Sequence, residues 1–445
     1  MRARTAAATR RTFVALSVPN YRRYFIGQAL SVSGTWMQAI ALTWLVLQIG
    51  GSGLALGATA ALQYLPLLVL GPLAGVFVDR VDKRRLLFAT QASAATISVA
   101  VAVLVATGSV QLWMALLAAL LLGFANALDV PARQTFAIEM VGPELLPNAV
   151  TLNSVLMNLG RVVGPVLAGI AIAAVGLAPC FAVNALSYVG LIVALACMDT
   201  GSLATTPPAG REPGQLRAGF RYVWRNPALR APLLVMAVVG TFTYEFQVML
   251  PVLARSTFEA DASGLSLLLG AMGTGSVVGG LVAAGTITPS ARRVGSAGLV
   301  LGLLVVVAAA MPTLLTTAAV LVAVGVASIT FTTLVNATLQ VNAAPEMRGR
   351  VVALYAVALL GTIPIGGPII GALAQVLGGR TALVAAGLVA VTTVAVAWRA
   401  LERADRAGRR PLRAVDGPVA VEPSSIVESV DELEPIEVAV RPAAA

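Results

Sequence analysis

Four side chains in this 445-residue sequence could hold charge or move a proton inside apolar surroundings: Glu245, Arg161, Asp129 and Asp79. Glu245 stands in "GTFTYEFQVMLP", with Thr241 and Tyr244 within one turn of it, and is the one acid well inside a long apolar run. Burial disfavours the charged form of any carboxyl. The sequence has no histidine, so proton movement must use carboxylates, and Glu245 is the leading carrier. Binding a cationic substrate and pairing structurally are its alternative uses. Arg161 lies near the middle of another run, where a cation is costly and is paired or functional. Its candidate partners are Asp129 and the carbonyls around Pro165. Cys180 and Cys197 sit at opposite ends of one run, about 25 Å apart as a helix and beyond disulfide reach. Neither has metal-ligating company, so no metal and no cofactor is expected.

The stretch "GPLAGVFVDRVDKRR" (71–85) joins small residues to six charges in seven positions. Gly71, Gly75 and Asp79 recur every four residues and share a helical face. Small residues let a neighbouring backbone approach, and a carboxylate on that face can meet the positive end of an adjacent helix. Arg80, Lys83, Arg84 and Arg85 follow, suited to acids or anionic lipid heads. Plain anchoring at the membrane surface is the alternative reading.

These groups need apolar elements to hold them. The chain is 58% hydrophobic and 11% charged, with a mean hydropathy of +0.88, too apolar for a soluble fold of this length. Twelve apolar runs, each about the length that spans a bilayer as a helix, cover 25–49, 53–78, 86–107, 110–130, 151–175, 179–198, 232–254, 263–286, 294–311, 313–335, 351–377 and 380–398; they are called runs 1 to 12. With the N-terminus inside, all of the 30 basic residues except Arg161, Arg255 and Arg380 fall on the inner side. That asymmetry predicts both termini in the cytoplasm of a multi-pass protein in the cell membrane. The net charge of +10 is explained by this placement, and no nucleic-acid partner is expected. Membrane lipids are.

The expected organisation is a cytoplasmic segment over 1–24, a six-helix bundle over 25–198, a cytoplasmic linker over 199–231, a second bundle over 232–398 and an acidic, disordered cytoplasmic tail over 399–445. The linker begins rich in Pro, Gly, Ser and Thr and then turns amphipathic, with Phe220, Val223 and Trp224 on one face and Arg217, Arg221 and Arg225 on another. Such a helix lies in the membrane interface. Runs 5 ("GRVVGPVLAG") and 11 ("GTIPIGGPIIGA") are both interrupted by Gly and Pro, and corresponding interruptions in two halves point to a transporter built from repeats. The expected fold is therefore an all-α membrane protein of twelve transmembrane helices in two pseudo-symmetric six-helix bundles.

Polar stripes mark a pathway: Gln28, Ser31, Thr35 and Gln38 share a face of run 1, as Ser328, Thr332 and Asn336 do in run 10, and Asn126 adds a polar group low on run 4. Hydrogen bonding between helices is the alternative use of such stripes. No loop of the form G-x-x-x-x-G-K-[ST] is present, so ATP is not the direct energy source. No Ser/His pair, paired acids or metal cluster suggests an enzyme.

The 71–85 stretch resembles the signature of the major facilitator superfamily between helices 2 and 3, G-x-x-x-D-R-x-G-R-R/K, with Gly75, Asp79, Arg80, Lys83 and Arg84 in its positions and Asp82 where glycine is usual. "RRYFIGQALSVSGTWMQAIALTWLVLQ", "NALDVPARQTF" and "APEMRGRV" resemble the branch of that superfamily that includes the enterobactin exporter and many drug exporters. The resemblance covers roughly 12–400. Gly160, Gly164, Pro165 and Gly169 resemble the superfamily's G-x-x-x-G-P-x-x-G antiporter motif, which implies export. The arginine of its other exporter motif is absent from run 4. The resemblance also implies a central cavity lined by runs 1, 4, 7 and 10, which would expose Gln28, Ser31, Thr35, Gln38, Asn126, Thr241, Tyr244, Ser328 and Thr332.

The turns "LDVPARQ" (128–134) and "APEMRGR" (344–350) occupy equivalent places in the two halves. Asp129, Arg133, Glu139, Glu346, Arg348 and Arg350 are expected to form salt bridges across the inner ends, and Gly71, Gly75 and Asp79 to Arg84 to act as a conformational switch. The expected function is export of a small amphipathic organic compound, of drug, siderophore or secondary-metabolite type, by a monomer working through alternating access, in exchange for protons. Nutrient import, lysolipid transport and a non-transporting sensor or scaffold are the competing readings.

Overall fold

The computed structural model describes residues 13–204, 215–286 and 288–408. The N-terminal segment before Phe13, the Pro/Gly-rich part of the linker and the acidic tail lie outside the described residues. The described residues are helical apart from short connections: α1 (Pro19–Gly50), α2 (Gly53–Arg80), α3 (Lys83–Ala106), α4 (Leu112–Val175), α5 (Ala178–Ala196), α6 (Gln215–Arg225), α7 (Pro227–Phe242), α8 (Phe246–Thr257), α9 (Ala262–Thr286), α10 (Ala291–Ala310), α11 (Leu314–Asn342), α12 (Arg348–Leu360), α13 (Ile363–Leu377) and α14 (Gly379–Gly408). They make twelve crossings, because α4 carries runs 4 and 5 while runs 7 and 11 are each split, into α7 with α8 and α12 with α13.

Local chemistry sets the ends. Ser52 caps α2 by accepting from the Ala55 amide, Asp82 caps α3 by accepting from Arg85, and Asn226 caps α7 by accepting from Ala228. Gly51 closes α1 at φ 61°, a left-handed conformation that favours glycine. Three features depart from the sequence-based expectation. The segment "LDVPARQ" is a helical part of α4, and the turn comes later, at Gly142 (φ 73°, ψ 172°) with Pro143 behind it. The first crossing starts at Pro19, since Tyr21 and Tyr24 are buried. The last crossing runs on to Gly408, because Leu401 and Ala404 are buried and Ser290 bonds Asp405 at 2.6 Å.

Lipid gives helices no hydrophobic reason to associate, so close packing of small residues must hold them together. Gly302 and Gly387 bring the α10 and α14 backbones together, and Gly275 and Gly325 do the same for α9 and α11. Large aliphatics such as Ile26, Leu186, Leu281, Leu315 and Val396 stay on the outside, where lipid would cover them.

The two halves meet along two seams, α2 against α13 and the second arm of α4 against α9. Call the end that holds residue 13, the linker and residue 408 the near end, and its opposite the far end. The far end is closed: a Cβ on Gly57 would lie 2.6 Å from the Gly367 carbonyl carbon, and one on Gly371 3.0 Å from that of Gly53. Arg255 donates to the Leu47 carbonyl (2.8 Å) and the Leu54 amide to Gln375 Oε1 (3.2 Å), both across the halves. Toward the near end of the same helix nothing lies within 4 Å of a Cβ placed on Gly71. These far-end contacts define a far-closed conformation.

Candidate transport site and gates

Run 7 breaks at Thr243–Glu245, and run 11 breaks beside it at Gly361–Thr362. Gly240 permits the contact, its Cβ position lying 2.7 Å from the Ala358 carbonyl. Glu245 sits at the N-cap of α8 (φ −81°, ψ 37°) and is 3% exposed. Its own carbonyl accepts from the Val248 and Met249 amides. Its carboxyl is pressed on the first turns of α13: Cβ atoms on Gly366 and Gly367 would stand 2.9 Å from Oε1 and 3.6 Å from Oε2. Oε1 is buried without a described hydrogen-bond partner. The carboxyl thus lies where α7, α8 and α13 meet, and Gly367 is the residue that touches Gly57 of the opposite half.

Arg161 faces the space between the halves. It is exposed, and its guanidinium lies over the Trp36 ring at 5.4 Å. Neither expected partner is used: Asp129 belongs to another cluster, and no carboxylate is described within ion-pair distance of Arg161. Tyr64, Tyr244 and Tyr355 lie near enough to feel its charge. Tyr244 donates to the Ser328 carbonyl (2.7 Å) and Tyr355 to that of Thr332 (3.2 Å). Thr241 is buried and donates to the Ala237 carbonyl. Trp36, Tyr64 and Tyr355 escaped the sequence reading. Mid-run aromatics in a chain with 5% aromatic residues were the available signal.

The run 1 stripe turns into its own bundle. Gln28 donates to Asn153 (2.8 Å), Gln38 accepts from Ser98 and Asn184 (2.8 Å each), Thr35 contacts Tyr188 (3.3 Å), and Ser31 is buried. Asn126 is exposed on α4. The helix 5 glycines are packing surfaces for both neighbours: Gly160 and Gly164 receive Val32 and Trp36 of α1, Gly169 receives Ser266 of α9, and Pro165 is buried among them.

At the near end the charge cluster braces the first half. Lys83 pairs with Glu139 (3.1 Å), and Arg84 donates to the Leu195 and Ala196 carbonyls, capping the end of α5. Asp82, in the usual glycine position, caps α3, so an acid is compatible with the turn. Arg80 is exposed, and the side chains of Gly75 and Asp79 lie outside the described residues. Replacing Arg84 with alanine removes both caps and should cost about 1–3 kcal/mol, read as a lower melting temperature of the purified protein; an unchanged melt would refute the capping role.

Asp129 is buried and accepts from Thr90 (2.9 Å), Gln91 (2.7 Å) and Arg133. The salt bridges expected across the near ends are not among the described contacts. Asp129 and Arg133 pair within α4, Glu346 and Arg348 are exposed, and Arg350 reaches Met347 Sδ at 3.3 Å. Among the described residues the two sets of charges share no contact.

Twelve crossings in two bundles, closed at one end over a buried carboxyl and with an exposed arginine over the Trp36 ring, define a membrane transporter of the major facilitator fold. The chain belongs to the transmembrane secretion effector family of that superfamily, whose model matches residues 10–425. It is 29% identical over 406 residues to the multidrug efflux pump Tap of Mycobacterium tuberculosis, covering 88% of this chain and 95% of that one. It is 25% identical over 262 residues to the staphyloferrin A transporter of Staphylococcus aureus, a match spanning 58% of this chain and 64% of that protein. Among solved structures, a bacterial homologue of the human lysosomal transporter Spinster, inward-facing and occupied, superposes with TM-score 0.68 at 14% identity, covering 90% of this chain and 99% of that one. Peptide transporter POT superposes with TM-score 0.70 at 15% identity, covering 88% and 98%. Both share the fold.

Proposed function

We propose that the protein exports a small amphipathic organic compound across the cytoplasmic membrane by alternating access, with its near end in the cytoplasm and protons entering in exchange. The observation that carries this reading is the position of Glu245. Its carboxyl is held in the joint of two broken helices, one residue contact from the seam that closes the far end. Taking up or losing a proton there changes the charge buried in the joint, and a buried unpaired charge is costly. Protonation can therefore bias the far end between closed and open. The basic residues of the near end and the membrane's positive-inside preference support the orientation. The printed names of the relatives, efflux pumps and a siderophore transporter, support export of drug-like or siderophore-like compounds.

The test is efflux from loaded proteoliposomes with a panel of amphipathic dyes, macrolides and carboxylate siderophores. At least one class should leave faster than from protein-free vesicles, and inward-directed protons should accelerate it. If none of the panel moves faster than from empty vesicles, the export reading fails.

A further inference from the structure

We propose that the transported compound carries a negative charge beside an aromatic or apolar body, and that Arg161 anchors that charge. This rests on the transport reading above and specifies its substrate class.

Arg161 cannot withdraw from the space between the halves. Its neighbours Gly160 and Gly164 are clamped on Val32 and Trp36 of α1, and its own carbonyl lies 2.8 Å from the Cβ position of Gly273 on α9. A charge at this depth is expensive unless something compensates it. Among the described residues, the candidate acids are engaged or sealed away. Asp129 is held by Arg133, Thr90 and Gln91. Glu245 is 3% exposed, with its carboxyl turned onto Gly366 and Gly367. The described partner of Arg161 is the Trp36 ring, which attracts a cation through its face but leaves the N–H donors of the guanidinium free.

The surrounding groups fit the same ligand. Tyr244 and Tyr355 donate their hydroxyls to the Ser328 and Thr332 carbonyls. They therefore offer aromatic surface from the second half, while Trp36 and Tyr64 offer it from the first. A planar fork of N–H donors matches a carboxylate or sulfonate through two parallel bonds. The rings accept a flat apolar body. A compound with only a positive charge would meet Arg161 with no acid among the described residues open to receive it.

Three probes with one ring system separate charge from shape: 1-naphthoate, 1-naphthamide and 1-naphthylmethylammonium. Binding to the purified protein is measured by titration calorimetry, and flux in proteoliposomes. Naphthoate should bind about tenfold or more tightly than either other probe, the ratio one charge-assisted pair supplies. Arg161→Gln should remove that preference while leaving naphthamide binding unchanged, and Arg161→Lys should keep part of it. An unchanged melting temperature shows each variant folded, and should Arg161→Gln fail to fold, Arg161→Lys against wild type still reads the preference. Tighter binding of the ammonium probe, no binding of any probe, or naphthoate binding indifferent to Arg161 would overturn the anion site. If naphthylmethylammonium is carried and naphthoate is not, the anion site fails and the export reading stands. If naphthoate binds through Arg161 but neither these probes nor any member of the dye, macrolide and siderophore panel crosses the membrane, the export reading fails and the anion site stands.

Discussion

Replacing Gly57 with valine should hold the far ends of the two halves apart and nearly stop transport. The Cβ position of residue 57 is met by the Gly367 carbonyl carbon at 2.6 Å and by Pro368 Cα at 2.8 Å. Both are backbone atoms, which cannot swing aside as a side-chain tip can, so even one methyl must separate α2 from α13. Overpacking of this kind costs about 1–3 kcal/mol, which changes a two-state equilibrium constant by roughly 5- to 150-fold. The far-closed state is the one that suffers, because Gly57 makes this contact only while the seam is shut. Spin labels on Ser109→Cys and Pro312→Cys, both exposed at the far end, report the opening. Cys197 is replaced because it is the exposed cysteine, while Cys180 is buried. The variant should show a longer distance distribution than the parent and reduced flux. Gly71→Val is the control, since its Cβ position is open in this conformation. It should leave the far-end distance short. A parental distance in Gly57→Val would show that the seam is not held by this contact.

Glu245→Gln should leave the protein folded and able to exchange substrate across the membrane, yet unable to accumulate it against a gradient. Glutamine has nearly the same shape, so the packing against Gly366 and Gly367 is kept, but it neither takes up nor releases a proton. The joint would then have one charge state in every conformation, and an imposed pH gradient would have no grip on the equilibrium between far-open and far-closed forms. Counterflow of labelled substrate tests exchange, and efflux under an imposed pH gradient tests coupling. We expect counterflow near the wild-type rate and efflux indifferent to pH. Full pH acceleration in the variant would remove Glu245 as the carrier.

The crossings were legible because a bilayer-length apolar run has few alternatives, and the six-plus-six division because the linker changes composition abruptly. Glu245 stood out because a lone acid in hydrocarbon must have a reason. What it touches was not legible. The break at 243–245 is stabilised by glycines more than a hundred residues later in the chain, and no local pattern encodes that pairing. The direction of the Gln28 to Gln38 stripe was equally hidden: a polar face satisfies itself as well against Asn153, Ser98 and Asn184 as against a water-filled cavity. The segment around Pro131 read as a turn, yet its backbone stays helical and the chain turns at Gly142. Arg161 was placed near the middle of its run, but its carbonyl contact with Gly273 and its position over Trp36 depend on how three helices cross.

The central claim is that substrate leaves as protons enter through the joint that Glu245 occupies. Its most direct measurement follows internal pH and substrate together in wild-type proteoliposomes, with the membrane potential clamped at zero and only a pH gradient imposed. The account predicts that the gradient alone drives substrate uphill, with protons entering in step with the substrate that leaves. Substrate flux of equal rate with and without the gradient, and with no movement of protons, would contradict it.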